Sequence, residues 1–366
     1  MVNRVYGIKS GFKNLFLRGL GKKRVLFATI DVTNRCICKC ITCPVWKMKE
    51  VFEPSVETEK LAMRKLRDAG VVVLVITGGE PLLRNDIDQI VKYSYNCGFV
   101  TSIVTNGFLL SKKIDSFYKY VDRVCVSLDS SKPKVHNMIR GIDVFDKAVE
   151  GVKKTVSLGT LTLLNCVISK YNLDHIEEVL FLGEKLGANG VMFDPMQTMF
   201  FGENFDHLKF NPKEQELFKE KIQLLLDLKK EGHRVMNTTP YLKYLLNPEK
   251  FGVKCDLFGV SVGWDAKICP LCNRFHKKGF SLGKISVNDF LDRKDLKKSV
   301  EKMAMCTECS ASCVWEPILS LGSLRGFIGM GSDVIGNSYW DTPNANDNLH
   351  WVGDMIGKFT SKRRRR

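Results

Sequence analysis

Between Val25 and Phe193 the chain alternates short β-rich apolar runs with longer stretches of helical periodicity, and this alternation is the strongest constraint on its fold. Val25 to Val32, Val71 to Thr77, Phe99 to Thr105, Arg123 to Leu128, Thr162 to Ile168 and Gly190 to Phe193 read as strands. Val56 to Ala69, Asp86 to Cys97, Lys112 to Tyr120, Val144 to Leu158 and Asp174 to Leu186 read as the helices between them. Strands joined through helices of that length pair in parallel, with the helices packed outside the sheet. Six units fall short of a closed eightfold barrel, so the expected class is α/β, a partial (β/α)6 TIM-like barrel. After a break at Phe200 to Pro212 and a helix near Glu214 to Glu231, the pattern dissolves beyond Phe251 into short Cys-rich pieces, which predicts a small metal-stapled module. The expected division is a basic N-terminal segment (1–24), the barrel (25–200), a helical connection (201–250), the Cys-rich module (251–318) and a C-terminal extension (319–366).

At 366 residues and 44% hydrophobic content the chain can bury a full core, which excludes a disordered or collagen-like protein. No apolar run is long enough to span a bilayer, and Lys9, Lys13 and Arg18 interrupt the first apolar stretch, so no cleavable leader is expected. The net charge of +16 is concentrated at the two ends. Arg4, Lys9, Lys13, Arg18, Lys22, Lys23 and Arg24 have no acid among them, and Lys362 to Arg366 are all cationic. The nearly neutral body between argues against a nucleic-acid-binding face. Val5, Ile8, Phe12, Leu15, Phe16 and Leu20 recur at helical spacing among those first cations, a pattern that suits either an anionic membrane surface or a helix packed on the body.

Thirteen cysteines, an odd number unevenly placed in a long chain, do not read as a secreted disulfide framework. Metal ligation in the cytoplasm fits better. Cys97, Cys125 and Cys166 stand alone in apolar surroundings and read as core residues. Cys36, Cys40 and Cys43 form C-x3-C-x2-C directly after the first strand. Three thiolates on one short loop can hold one face of a [4Fe-4S] cube and leave its fourth iron open for chemistry. A structural zinc would want four closed ligands, often as two separated pairs, and no second pair follows nearby. Cys38 could supply a fourth thiol only by turning the same way as its neighbours.

Three further motifs follow at strand ends: Thr77-Gly78-Gly79-Glu80-Pro81, Thr105-Asn106-Gly107, and Ser127-Leu128-Asp129 with Arg140-Gly141 soon after. Together with the cysteines, in this order, they make residues 25 to 195 resemble the radical S-adenosylmethionine (SAM) superfamily. The resemblance implies that SAM chelates the open iron of the cluster. It implies one-electron cleavage of SAM to methionine and a 5′-deoxyadenosyl radical, which abstracts hydrogen from a substrate. Gly78, Gly79, Glu80 and Pro81 would then form the loop for the SAM amino group, with glycine permitting close approach and Glu80 accepting from the ammonium. Ser127 and Arg140 would meet its carboxylate, and Thr105, Asn106 and Asp129 would neighbour its methionyl or ribose portion. Asn106-Gly107 as a plain turn and Asp129 as a helix cap are the alternatives. His136 would pack near the Arg140 loop. The chain departs from the family at Thr42, where many members carry an aromatic residue, and at Ile37-Cys38.

The C-terminal cysteines Cys255, Cys269, Cys272, Cys306, Cys309 and Cys313 resemble the SPASM or twitch module of many family members. The resemblance implies one auxiliary [4Fe-4S] cluster, with Cys255, Cys306 and Cys309 and one of Cys269 and Cys272 as ligands. A zinc site on Cys269-x2-Cys272 and Cys306-x2-Cys309 is the alternative. The implied partners are SAM, an electron donor such as flavodoxin or ferredoxin, and a peptide or lipid-type substrate. The basic ends add peripheral contact with the inner membrane surface. A non-catalytic iron–sulfur carrier or scaffold would need the cysteines but not the SAM motifs.

Overall fold

The computed structural model describes residues 14, 24–197, 199–200, 203–250, 257, 259–271, 279–294, 296 and 298. The expected N-terminal amphipathic segment, apart from Asn14 and Arg24, lies outside these residues. So do Cys255, Cys272, Cys306, Cys309, Cys313 and the extension from 319.

Six parallel strands form where the apolar runs predict them: β1 (Phe27–Asp31), β2 (Val73–Thr77), β3 (Val100–Thr105), β4 (Arg123–Ser127), β5 (Leu161–Ile168) and β6 (Gly190–Pro195). Each pairs in parallel with the next, with Ile30 beside Ile76 and Ile76 beside Ile103. The barrel is therefore open and partial, as expected. The crossover helices are α1 (Val56–Asp68), α2 (Ile87–Asn96), the short α3 (Leu110–Lys113), α4 (Pro133–Arg140), α5 (Phe145–Ser157) and α6 (Glu177–Lys185). In α1 the Ser55 hydroxyl accepts from the Thr58 amide, and Ala62, Met63 and Leu66 turn inward at helical spacing. They join strand residues such as Ile30, Leu74, Ile76, Ile103, Val126, Leu164 and Phe193 in one continuous core.

Three departures from the sequence reading matter. The helix expected over Lys112 to Tyr120 breaks into α3 and two 3-10 turns, Ile114–Ser116 and Tyr118–Tyr120. There the Ser116 hydroxyl donates to the Lys113 carbonyl at 2.8 Å, taking an acceptor that a continuing helix would use. Helix α4 forms in a stretch without a predicted element, opened by Pro133 in its first turn. Finally, residues beyond Phe251 supply more of the same sheet: β7 (Gly259–Val262) pairs in parallel with β1, and β8 (Lys267–Pro270) and β9 (Phe280–Ser281) extend it antiparallel. The sheet order is β9-β8-β7-β1-β2-β3-β4-β5-β6. At its other edge, α7 (Pro212–Lys230) leads to a parallel bridge between Val235 and Val191, and Asn237 closes a two-way hydrogen-bond pair with the Phe193 backbone. This covers β6 where it would otherwise expose unpaired groups. Because β1 to β7 run in one direction, the C-terminal ends of all seven share one rim.

Candidate active site

Chain segments from this rim enclose a cavity of about 420 Å3. The first is an excursion between β1 and α1. Asn34 closes its neck: its side-chain amide donates to the Glu50 carbonyl at 2.7 Å and accepts from the Phe52 amide at 2.8 Å. Buried Arg84 ties the same neck, donating to the carbonyls of Val32 and Pro54 at 2.8 Å while its other edge pairs with Asp86. Cys36, Cys38, Cys40 and Cys43 all line the cavity from this excursion. The isolated thiols Cys97, Cys125 and Cys166 are buried elsewhere, as the sequence predicts.

Two elements grip the cysteine loop. On one side, Gly79 N donates to Thr33 O and Glu80 N to Arg35 O, each at 2.7 Å. A Cβ on Gly78 would lie 2.4 Å from the Thr33 oxygen, and one on Gly79 would lie 2.3 Å from that of Arg35. Both glycines therefore permit a backbone seam with the cysteine loop, a role that close ligand approach does not capture. On the other side, Lys39 N and Ile41 N donate to the carbonyls of Arg140 and Ile139 at 2.9 and 3.0 Å. Gly141 ends α4 there at φ +69, with its Cβ position 2.5 Å from the Lys39 oxygen. Trp46 completes the loop, its indole N–H donating to Cys40 O at 3.1 Å while its ring lines the cavity.

The thiols are not equivalent. Cys38 donates toward Cys36 and Cys40, and these contacts, followed by burial, push its own ionisation strongly up. The same donation lowers Cys36, and it lowers Cys40 to about 7 with help from the Arg140 charge. Burial pushes Cys43 up to about 12. Cys36, Cys40 and Cys43 could each give one thiolate to a different iron of a [4Fe-4S] cube.

Gly78, Gly79, Thr105, Asn106, Ser127 and Arg140 all line the cavity. Asn106 presents a buried side-chain N–H donor with no partner, as a polar ligand would require. Glu80, Pro81 and Asp129 stand behind this surface. Pro81 opens a 3-10 turn, and the fully buried Glu80 carboxylate accepts from Leu82 N, Thr105 Oγ1 and Asn106 N at 3.0, 2.7 and 2.7 Å. Burial pushes this carboxyl's pKa up against the pull of those donors. Glu80 thereby shapes the Thr105-Asn106 turn. Asp129 faces Arg140, and its backbone N–H donates to the buried His136 Nδ1 at 3.1 Å. Burial, then the Arg140 charge, lowers His136 to about 4.

Thr29, Asp31, Asn165, Asp194, Gln197 and Ser261 complete the cavity lining and were not expected from the sequence. Asp31 and Asp194 sit at or near the ends of β1 and β6, so rim position was a usable signal for both. Ser261 lies on the unforeseen β7 and accepts from Thr29 Oγ1 at 2.9 Å. Cys269 is buried on β8 with its Sγ 3.5 Å from the Ser261 carbonyl.

Residues 30–183 match the Radical SAM superfamily. Over these residues the chain carries a radical SAM domain. It is 28% identical over 253 residues to a probable GTP 3′,8-cyclase of Saccharolobus islandicus, covering 66% of this chain and 81% of that protein. Over 195 residues it is 31% identical to the GTP 3′,8-cyclase of Sulfurimonas denitrificans, covering 50% of this chain and 60% of that one. The radical SAM fold recurs in Streptococcus suis SuiB bound to S-adenosylmethionine, with a TM-score of 0.65, 16% identity, and coverage of 78% of this chain and 70% of SuiB. It recurs also in anSMEcpe with bound AdoMet, with a TM-score of 0.61, 16% identity, and coverage of 75% and 82%. The family implies a [4Fe-4S] cluster and SAM. No described helix is long and apolar enough to cross a membrane.

Proposed function

We propose that Cys36, Cys40 and Cys43 hold a [4Fe-4S] cluster, that SAM lies against Gly78, Gly79, Thr105, Asn106 and Ser127, and that hydrogen is abstracted from a substrate that meets the remaining polar lining of the cavity. The observation carrying this reading is that Cys36, Cys38, Cys40 and Cys43, the unpartnered Asn106 donor and the rim of a parallel sheet meet at one cavity. Held by Cys36, Cys40 and Cys43, the cluster would supply the one electron for cleavage of SAM to methionine and a 5′-deoxyadenosyl radical, the species that would take a hydrogen atom from the substrate. The protein's part is positioning. Glu80 orients the Asn106 turn, the neck at Asn34 and Arg84 fixes the thiols, and the enclosing walls limit competing hydrogen donors. A flavodoxin or ferredoxin would supply the electron.

Thr29, Asp31, Asn165, Asp194, Gln197 and Ser261 favour a polar substrate, because a lipid chain cannot hydrogen-bond to these hydroxyls, amides and carboxylates. A peptide side chain meets this demand, and SuiB is also known bound to its precursor peptide SuiA. A second reading, cyclisation of a nucleoside triphosphate, is favoured by the relatives named GTP 3′,8-cyclase. The C-terminal cysteines would hold an auxiliary cluster in either case.

Anaerobically reconstituted protein incubated with SAM and dithionite tests the proposal. Formation of 5′-deoxyadenosine that disappears in Cys40→Ala supports it, and stimulation by GTP with loss of GTP selects the second reading. A well-loaded protein that neither cleaves nor binds SAM returns the chain to a carrier role.

A further inference from the structure

Arg140 has contacts that a grip on the SAM carboxylate leaves unexplained. Its Nη2 donates to Asp129 Oδ1 at 2.9 Å and its Nε lies 2.7 Å from Asp129 Oδ2 as an ion-pair contact, so one edge of the guanidinium faces a carboxylate within the protein through one hydrogen bond. Its Nη1 reaches Cys40 Sγ at 3.9 Å. The backbone agrees with the side chain, since Arg140 O accepts from Lys39 N, the residue before that cysteine. Asp129 is an immobile anchor. Its side chain is 1% exposed, Oδ1 also accepts from Val167 N at 3.0 Å, and its carbonyl accepts from Asn172 Nδ2 at 2.7 Å and from the Cys166 thiol at 3.5 Å. Asn172 is itself fully buried and holds the Val167 carbonyl at 2.9 Å.

We propose that Arg140, aimed by Asp129, is a positioning residue that sets the reduction potential of the Cys36/Cys40/Cys43 cluster by donating to the Cys40 sulfur. The inference rests on the cluster reading above and goes beyond it. Reduction adds negative charge to the cluster, so a donor and positive charge fixed at one ligand stabilise the reduced form, and their loss makes the cluster harder to reduce. The Asp129 carboxylate, on the far side of the guanidinium, partly offsets that charge. Its neutralisation makes the cluster easier to reduce.

The test is an EPR-monitored redox titration of the full chain, reconstituted anaerobically and without SAM, after iron and sulfide have been counted. Arg140→Gln is expected to shift the one-electron equilibrium at least tenfold toward the oxidised cluster, which is 59 mV for one electron. Arg140→Lys recovers at least half of that shift, and Asp129→Asn moves the midpoint the opposite way. Binding of SAM to the oxidised proteins is measured in parallel, so that any change in affinity is read separately from the midpoint. A wild-type midpoint in Arg140→Gln, together with tenfold weaker SAM binding, overturns the inference and makes Arg140 a carboxylate grip. If Arg140→Gln does not retain its cluster, Arg140→Lys and Asp129→Asn carry the test, and shifts of the same sign in both refute it. An absent cluster signal in the wild type refutes the underlying cluster reading instead.

Discussion

Replacing Gly79 with alanine separates two explanations of the Gly-Gly-Glu loop. If the glycine serves only a ligand's approach, the empty protein tolerates a methyl group and SAM binding alone suffers. The structure predicts otherwise. The new Cβ would lie 2.3 Å from Arg35 O, 2.7 Å from Arg35 C and 2.8 Å from Asn34 O. All three atoms are backbone in the closed neck, so no flexible side chain can swing aside. Restoring ordinary contact requires the strands of the seam to part by about 1 Å, which takes the 2.7 Å bonds Gly79 N to Thr33 O and Glu80 N to Arg35 O out of range. Two hydrogen bonds at about 1 kcal/mol each, plus an overpacking cost of about 1–3 kcal/mol, give roughly 3–5 kcal/mol. With a urea dependence of about 3 kcal/mol per M, the unfolding midpoint of the metal-free, SAM-free chain falls by about 1 M or more. Gly283→Ala is the control, because its new Cβ meets nothing closer than Ser281 Oγ at 3.5 Å. An unchanged urea midpoint in Gly79→Ala, with SAM affinity lost, would refute the seam and restore the ligand-approach explanation.

Glu80→Ala should also destabilise the SAM-free chain, by about 3 kcal/mol in urea unfolding, because Leu82 N, Thr105 Oγ1 and Asn106 N lose a buried acceptor; a purely SAM-contacting carboxylate would leave the midpoint unmoved. Glu59 is 2% exposed on α1 and burial raises its carboxyl pKa to about 8, so the folded chain keeps a proton that the unfolded chain releases above 4.5. Its stabilisation is whole below that ordinary value and is lost as pH rises toward about 8, at up to about 1.4 kcal/mol per pH unit. Urea midpoints should therefore fall between pH 6.5 and 8 in the wild type and stay flatter in Glu59→Gln. His136, lowered to about 4, adds stability with rising pH only below its ordinary 6.5, and Cys40, lowered to about 7, opposes the fall above that pH in both proteins, so the difference between wild type and Glu59→Gln reports Glu59. Iron analysis should separate the cysteines: Cys43→Ala loses the cavity cluster, whereas Cys166→Ala, whose thiol is buried against Asp129 O, keeps the wild-type iron content.

The barrel is legible because its signals are local. Each of β1 to β6 is a short apolar run, and long helical stretches join them, so parallel pairing follows from connection length alone. The motif residues are legible for the same reason, standing where those runs end. What sequence reading loses is nonlocal. The four residues of β7 carry no signal of their own, and their pairing with Phe27 to Ile30 is set by closure of the sheet edge across more than two hundred positions. Helix α4 spans only Pro133–Arg140 and forms with support from the cysteine loop capping its last carbonyls. Glu80 illustrates a further limit: a carboxylate after two glycines shows its residue type, but only the fold reveals that Leu82 N, Thr105 Oγ1 and Asn106 N donate to it from within the protein.

The placement of α4 raises an electrostatic conflict that the site then resolves. The C-terminal end of a helix carries partial negative charge, an unfavourable neighbour for thiolates. Here that end directly abuts Lys39 and Ile41 around Cys40. The amides of Lys39 and Ile41 take up the Arg140 and Ile139 carbonyls, and the Arg140 side chain returns toward Cys40 with its positive charge. Cys40 is lowered chiefly by the Cys38 donation and then, against its burial, by the Arg140 charge, while burial raises Cys43. One helix end thus anchors the loop through its carbonyls while its last side chain offsets the field those carbonyls create. Moving Arg140 by even one residue along α4 would rotate the guanidinium about 100° away from Cys40 and leave the carbonyl field uncompensated.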